Sequence, residues 1–206
     1  MHDKPFPFNS QMEIPELQLE DKLPRHHSRG FSQQLIIGAA AKEILRGLLE
    51  ASNYTVYPFG YESSLSSLKM NISNNIPDSN AVQRIRSMPD YVVSSDKGLK
   101  LVEVKLRKIS EHGGQPGVYL KNSDLNRYRK YWDESMIALI SPYGDRFFCQ
   151  DVRDELIPGT METKWFDYAS FQPLPQIYPA TGDKLKAFGV AVDKLGSLWD
   201  EQKGLP

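Results

Sequence analysis

The spacing of apolar and polar positions predicts a chain in which helices alternate with short strands. Residues 31–51 carry apolar side chains at the 3.6-residue spacing of an amphipathic helix, with Ser32 as its N-cap. Residues 90–93 are rich in β-branched and aromatic side chains, and residues 99–106 form a second strand-like run along which side chains alternate between two faces. The turn-forming residues 95–98 lie between the two runs, which predicts a β-hairpin. The other predicted elements are a strand over 54–57, a short helical piece over 82–85, a helix over 123–134, strands over 136–140 and 146–152, and an amphipathic helix over 183–201.

The pattern also assigns faces to individual side chains. The predicted apolar stripe of the first helix consists of Ile36, Ile37, Ala40, Ile44 and Leu48. In the helix over 123–134, Ser123 is the predicted N-cap, and the apolar face carries Leu125, Tyr128 and Trp132. Residues 136–140 are apolar throughout, which is typical of a buried parallel strand. Residues 110–118 are rich in glycine and predict a flexible connector.

The hairpin brings two acidic side chains and one lysine together. With a four-residue loop, Val92 lies opposite Leu101, and the same register puts Asp90 opposite Glu103. Lys105 follows Glu103 by two residues, so these two side chains share a face of the strand. Facing carboxylates repel each other unless a cation lies between them, and Mg²⁺ is held in proteins by a few carboxylate oxygens. The pattern therefore indicates a divalent-cation site, and the alternative is a surface hairpin with unrelated charges.

The order Pro89, Asp90, hairpin, Glu103, Val104, Lys105 resembles the motif of the PD-(D/E)xK nuclease superfamily, the fold of many restriction enzymes and Holliday-junction resolvases. The E-x-K pattern recurs at three other places in the chain, none of which lies in an apolar alternating strand after a Pro-Asp pair. The resemblance implies an α/β fold: a restriction endonuclease-like αβββαβ core with a mixed central sheet flanked by helices. The predicted order of elements agrees with that core.

The resemblance also implies a cofactor and a mechanism. Asp90, Glu103 and the carbonyl of Val104 would hold Mg²⁺, for which Mn²⁺ could substitute. Lys105 would position or deprotonate the attacking water and stabilise the charge that develops on the phosphate. Because Lys105 lies next to two carboxylates, we expect it to be charged and to orient water and phosphate rather than act as a free base.

A third acidic side chain is implied on the first helix, where resolvase-like members of the superfamily carry a glutamate aimed at the same metal. Glu43 matches it by position, and its neighbours Ala39 and Gly47 are small enough to let another group approach. A single glutamate on a helix is usually solvated, so a surface role for Glu43 is the alternative. Glu62, after the first strand, is the competing acid.

The charge is unevenly distributed. The chain has a net charge of −1, which alone argues against a strongly electrostatic nucleic-acid binder. Residues 103–131, however, hold seven Lys/Arg against three acids, a net +4 against −5 for the rest. Basic residues with interleaved aromatic rings suit a phosphate backbone and stacked bases, and an ordinary amphipathic helix is the alternative. The predicted nucleic-acid-binding residues are Arg107, Lys108, Gln115, Lys121, Arg127, Tyr128, Arg129 and Lys130.

Cysteine content and hydropathy set the expected compartment. The single cysteine, Cys149, excludes an internal disulfide and a Cys-type zinc site, and it fits a reducing environment. The first residues lack a basic segment followed by an apolar run, and no run of 18 apolar residues occurs. We therefore expect a cytoplasmic protein without a membrane segment.

Composition divides the chain into three parts. Residues 1–30 carry four prolines and no sustained periodicity, which predicts an extended N-terminal arm. Residues 31–152 form the nuclease-like core domain, and residues 153–206 form a C-terminal extension that packs on the core and ends in a helix. The arm could tether a partner and the closing helix could equally be a dimer face, so a homodimer is compatible with the sequence.

The function predicted from the sequence is that of a metal-dependent nuclease that hydrolyses phosphodiester bonds, with an endonuclease acting on DNA favoured. The alternative from another class is a nuclease-fold module that binds nucleic acid or protein without cutting. The complete set of Asp90, Glu103 and Lys105 argues against that alternative. A third interpretation is an accidental motif in a structural or interaction protein.

Overall fold

The computed structural model describes residues 29–61, 79–142, 146–153 and 156–201. The predicted N-terminal arm up to residue 28, and Glu62, lie outside the described residues. The helices are α1 (Arg29–Ala51), α2 (Asn80–Arg86), α3 (Asn122–Tyr131), α4 (Leu174–Ile177) and α5 (Gly182–Glu201). The strands are β1 (Thr55–Pro58), β2 (Tyr91–Ser95), β3 (Gly98–Leu106), β4 (Ser110–His112), β5 (Gln115–Lys121), β6 (Met136–Ile140), β7 (Phe147–Asp151), β8 (Thr163–Asp167) and β9 (Gln172–Pro173).

Six strands form a mixed central sheet in the order β1-β2-β3-β6-β7-β9. The β3–β6 pair is parallel, and the other neighbouring pairs in this sheet are antiparallel. All five residues of β6 are buried because both faces of the sheet are covered at this strand. The mixed α/β fold class and the buried parallel strand predicted from the sequence are therefore confirmed.

The β2–β3 hairpin has the predicted register. Val92 pairs with Leu101, and the same register continued by one residue puts Asp90 opposite Glu103. The turn is shorter than predicted, two residues instead of four, because one residue on each side joins the ladder. The register is unchanged because the ladder is extended equally on both strands.

Two apolar clusters cover the two faces of the central sheet. One cluster joins α1 and α5 to strand residues such as Val104, and Leu45 of α1 lies within it. The other joins the β5 and β8 strands to α3, whose Leu125 is fully buried there. Side chains alternate along β3, so Val104 faces α1 while Glu103 and Lys105 face α3. The alternation thus directs the motif toward α3 rather than toward solvent.

Two details of α1 differ from the sequence prediction. The helix begins at Arg29, so Ser32 lies inside it and is not its N-cap. Ile36 is 68% exposed, whereas the predicted Ile37 and Leu48 are buried and Ala40 and Ile44 pack against the core. The positions that complete the buried stripe are Ala41, Leu45 and Leu49. Two neighbouring stripes of α1 are apolar, and the packing of α1 on α5 and β3 selects one of them.

The glycine-rich residues 110–118 form strands rather than the predicted connector. They make the β4–β5 hairpin, whose turn contains Gly113 (φ 61°) and Gly114 (φ 77°), and positive φ favours glycine. Strand β5 also pairs with β8, which completes a second, three-stranded sheet. This pairing with a distant segment offsets the low strand propensity of Gly and Pro in β4–β5.

Helix α3 and the C-terminal part also differ in detail from the prediction. The N-cap of α3 is Lys121, without a side-chain capping bond, so Ser123 is not the cap, and the helix ends at Tyr131. The segment after residue 152 contributes β8 to the second sheet and β9 to the central sheet, and α5 packs on α1. Across the described ranges, no helix has the length and apolar content needed to cross a bilayer.

Candidate active site

Asp90, Glu103 and Lys105 line one cleft of about 640 Å³. The α1 residues Lys42 and Glu43 form one wall of this cleft, and residues of α3 form the opposite wall. The floor is the start of β2 and the middle of β3. Three side chains that are separated in sequence by a hairpin therefore meet in one cavity, as their register requires.

Glu103 and Lys105 form a largely buried ion pair on the α3 side. The Nζ atom of Lys105 lies 2.9 Å from Oε1 of Glu103, and the two side chains are 17% and 8% exposed. The Tyr128 hydroxyl donates to the same Oε1 at 2.7 Å. Burial and the Glu103 charge raise the pKa of Tyr128 well above its usual range, so its hydroxyl remains a proton donor. Glu103 is thus held from two directions.

Asp124 of α3 supports Lys105. Its Oδ2 lies 3.5 Å from the Lys105 ammonium, and Arg127 contacts its Oδ1 at 2.5 Å. Burial would lower the pKa of Lys105, but Glu103 and Asp124 outweigh burial and raise that pKa. Burial would likewise raise the pKa of Asp124, whereas Lys105 and Arg127 lower it. The cleft therefore contains a charged lysine between two charged carboxylates.

Asp90 is held by the backbone and by a second lysine. Its Oδ2 accepts the Val104 N–H at 2.9 Å, and Lys42 Nζ lies 2.5 Å from its Oδ1. The Asp90 carbonyl accepts the N–H groups of Phe59 and Gly60, which fixes the backbone. Burial and the Glu103 charge raise the pKa of Asp90 to about 6, against the opposing effect of Lys42. The two carboxylates are therefore near enough to repel each other.

Glu43 lies on the rim of the cleft. Its side chain is 67% exposed, the Tyr91 hydroxyl donates to its Oε1 at 3.3 Å, and Arg46 lies 3.8 Å from its Oε2. Glu43 thus lines the same cavity as Asp90 but remains in contact with solvent. Glu62, the competing acid, lies outside the described residues.

The predicted nucleic-acid-binding residues are placed in different regions. Arg127 and Tyr128 line the cleft, and Arg107 lines a smaller cavity beside it that also borders Lys105. Arg129 donates to the carbonyls of Val152 and Arg153. The other predicted residues lie outside the lining of the cleft. Lys108 is half-buried, Gln115 and Lys121 of β5 are exposed, and the Lys130 ammonium donates a hydrogen bond to Asn80 Oδ1.

Lys42 and Asp124 line the cleft but were not predicted from the sequence as site residues. The signal for Asp124 was its position one turn before Tyr128 on a helix that follows the motif, because residues four apart share a helix face. Lys42 is adjacent to Glu43, but adjacent helical residues point about 100° apart, and no sequence pattern connects Lys42 to Asp90. Both residues are recognised only through their contacts with the motif.

The donor set fits a hard divalent cation. Asp90 and Glu103 supply two neighbouring carboxylates, and the Val104 carbonyl leaves β3 on the same side as the N–H that bonds Asp90. Mg²⁺ needs one or two carboxylates and completes its shell with water and substrate phosphate. Within the described ranges, no group of three or more His, Cys, Asp or Glu side chains is placed to hold a metal. The fit thus depends on two carboxylates and a main-chain oxygen.

Comparison with solved structures gives a distant similarity. The chain is similar to the solved structure of Hjc, a Holliday junction resolvase from the archaeal hyperthermophile Archaeoglobus fulgidus, at 14% identity and a TM-score of 0.42. The match covers 70% of this chain and 97% of that one. No family model and no curated protein sequence matches the chain. The elements α1, β1, β2, β3, α3 and β6 follow the αβββαβ order predicted from the sequence, and α2 and the β4–β5 hairpin are inserted into it.

Proposed function

We propose that this protein is a metal-dependent nuclease that hydrolyses phosphodiester bonds in DNA and cuts it internally. The observation that carries the proposal is the largely buried Glu103–Lys105 ion pair in the same cleft as Asp90. Burying an ion pair is a weak way to stabilise a fold, because removing two charges from water offsets their attraction. Perturbed ionisable groups that converge in a cleft are instead typical of a functional site.

The cofactor in this proposal is Mg²⁺, or Mn²⁺ in its place. Asp90, Glu103 and the Val104 carbonyl would hold it, and Glu43 would act on it from the rim of the cleft. When bound, the cation supplies a water of lowered pKa and neutralises charge on the phosphate.

Each of the remaining residues has a defined task. Lys105 is charged and held by Glu103 and Asp124, so it orients the attacking water and donates to a phosphate oxygen as negative charge develops there. Tyr128 keeps the Glu103 carboxylate in one orientation. Arg127, on the cleft wall, contacts the phosphate backbone of the substrate.

Cleavage assays test the proposal. Purified protein is incubated with plasmid, branched, single-stranded DNA and RNA, in the presence of Mg²⁺, Mn²⁺ or EDTA. We expect metal-dependent cutting of DNA, no cutting in EDTA, and a loss of at least about 10²-fold in Asp90→Asn, which keeps the shape but removes one charged ligand. DNA affinity of that variant should be kept or increase, because a negative charge is removed from the binding surface.

A second candidate function is favoured by one observation. The Lys42–Asp90 and Lys105–Glu103 contacts neutralise both carboxylates without a metal, as a module that binds nucleic acid or protein without cutting would require. For such a module, wild type and Asp90→Asn would bind DNA alike, and neither would cut any substrate with Mg²⁺ or Mn²⁺. Parallel filter-binding and cleavage assays on the same preparations separate the two functions.

A further inference from the structure

Lys42 contacts the Asp90 carboxylate, which is a ligand of the cation in the proposed function. Its Nζ lies 2.5 Å from Asp90 Oδ1, and the Asp90 side chain is only 10% exposed. The second oxygen, Oδ2, accepts the Val104 N–H from within the sheet. Oδ1 is therefore the oxygen of Asp90 directed into the cleft, and the Lys42 ammonium lies against it.

The two lysines of the cleft are held differently. Lys105 is 17% exposed and contacts Glu103, Asp124 and the Tyr128 hydroxyl, all within 3.5 Å. Lys42 reaches the cleft from α1 with a side chain that is 36% exposed. Lys105 is therefore enclosed by the α3 wall, whereas the long side chain of Lys42 is more exposed to solvent.

A place for a displaced Lys42 side chain exists next to the cleft. Lys42 also lines a neighbouring cavity of about 260 Å³, together with Gln34, Gly38 and Arg107. Gly38 lies one turn before Lys42 on α1, and a Cβ added there would meet no atom within 4 Å. The ammonium can therefore leave Asp90 and remain beside open, solvent-accessible space.

We infer that Lys42 is an exchangeable counter-ion that occupies Asp90 Oδ1 in the metal-free protein and is displaced when a divalent cation binds. This inference rests on the proposed function, because it concerns the same carboxylate. An ammonium and a divalent cation repel each other, so contact of both with Oδ1 is unfavourable. Lys42 consequently weakens cation binding while it keeps the buried Asp90 carboxylate paired in the absence of metal.

Binding of Mn²⁺ alone, measured by titration calorimetry, tests the inference without any cleavage. Because a hydrogen bond between charged groups must be broken in wild type, Lys42→Met and Lys42→Gln should bind Mn²⁺ about ten- to hundredfold more tightly. Lys42→Arg keeps the counter-ion and should bind Mn²⁺ no more tightly than wild type. In EDTA, Lys42→Met and Lys42→Gln should melt at a lower temperature than wild type. When Mn²⁺ is added instead, the melting temperature of these two variants should rise more than that of wild type.

Arg46→Met is the matched control. Arg46 lies one turn further along α1, lines the same cleft, and is as exposed as Lys42 at 36%, but its described partners are Glu43 and Glu50. Loss of this charge should change Mn²⁺ affinity by less than about threefold, since exposed charges act weakly at a distance. An equal gain in Arg46→Met and Lys42→Met would show a general charge effect and overturn the inference.

The remaining outcomes separate the inference from the proposed function. One outcome is that wild type binds Mn²⁺, Asp90→Asn does not, and both Lys42 variants bind it as tightly as wild type. The inferred displacement of Lys42 is then wrong, but the proposed metal site is supported. If neither wild type nor any Lys42 variant binds Mn²⁺ at millimolar concentration, the proposed metal-dependent function fails, and the inference fails with it.

Discussion

The two walls of the cleft hold their charged groups in different ways. On the α3 wall, Asp124 and Tyr128 converge on the Glu103–Lys105 pair, and Tyr128 is buried in the second apolar cluster. On the α1 wall, the Lys42 and Glu43 side chains are 36% and 67% exposed. The Glu103–Lys105 pair is therefore held from one side by packing, whereas the charged side chains of the other wall are more exposed to solvent.

The cause of the difference lies in how each helix is buried. Helix α3 inserts Leu125 and Tyr128 into the core, so its cleft-facing side chains have little freedom. Helix α1 buries the stripe that points away from the cleft, which packs against α5 and the sheet. Its cleft-facing edge, including Leu35 at 60% exposure, therefore remains in solvent. Substitutions on the α3 wall should therefore have larger effects than substitutions of the same kind on the α1 wall.

The largest effect is expected from Lys105→Ala. This variant removes the charge that orients water and phosphate in the proposed mechanism, and it leaves Glu103 and Asp124 without their shared partner. We expect single-turnover cleavage of plasmid to fall by at least about 10²- to 10³-fold. Lys97→Ala, in the exposed β2–β3 turn, is the control and should cleave like wild type. A Lys105→Ala protein that cuts at the wild-type rate would remove Lys105 from the mechanism.

The next effect is expected from Tyr128→Phe, which changes one hydroxyl. The Glu103 carboxylate loses a 2.7 Å hydrogen bond, and Lys105 loses a neighbour at 3.2 Å. Loss of a hydroxyl that orients a metal-ligating carboxylate should reduce Mn²⁺ affinity or the cleavage rate about 10- to 100-fold. It should also lower the free energy of unfolding by about 1–3 kcal/mol. Tyr119→Phe, on an exposed side chain of β5, provides the comparison for both cleavage and denaturant unfolding.

A smaller effect, on binding rather than cutting, is expected from the basic residues of α3. Arg127→Ala should weaken DNA binding about tenfold and lower the slope of log affinity against log salt by roughly one, because one phosphate contact is lost. Arg129→Ala should mainly reduce stability, since its guanidinium is bonded to the Val152 and Arg153 carbonyls. Filter binding over a KCl series distinguishes the two variants. Equal salt slopes for Arg127→Ala and wild type would contradict the assigned contact.

The smallest effect is expected from Glu43→Gln on the α1 wall. The side chain is 67% exposed, so its charge acts on the cleft through solvent and should change the cleavage rate by no more than about fivefold. Comparison of its Mg²⁺ dependence with that of wild type measures this contribution. A loss as large as that of Lys105→Ala would mean that Glu43 moves into direct contact with the metal, and the proposed asymmetry between the walls would be wrong.

Local features of the fold were predicted well from the sequence where neighbours along the chain decide the outcome. The hairpin register followed from the length of the loop between two strand-like runs, and the buried strand β6 followed from its continuous apolar run. The closing helix α5 was predicted to within one residue of its start. In each case the information lies within about 20 residues of chain.

Features that depend on distant partners were predicted less well. Residues 110–118 have the composition of a connector and become strands because β5 pairs with β8, about 45 residues further along the chain. The exposed Ile36 of α1 is a similar case, since two apolar stripes compete and the packing against α5 selects one. The predictions were wrong at these places because the deciding contact is not local.

The candidate site divides in the same way. The sequence alone determined that Glu103 and Lys105 share a face and that Asp90 lies opposite, because strand alternation and hairpin register are local geometry. The tertiary structure alone decided that Tyr128 and Lys42 contact Glu103 and Asp90, respectively. Their positions depend on how α3 and α1 pack against the two faces of the sheet, and that packing is set by the whole apolar core.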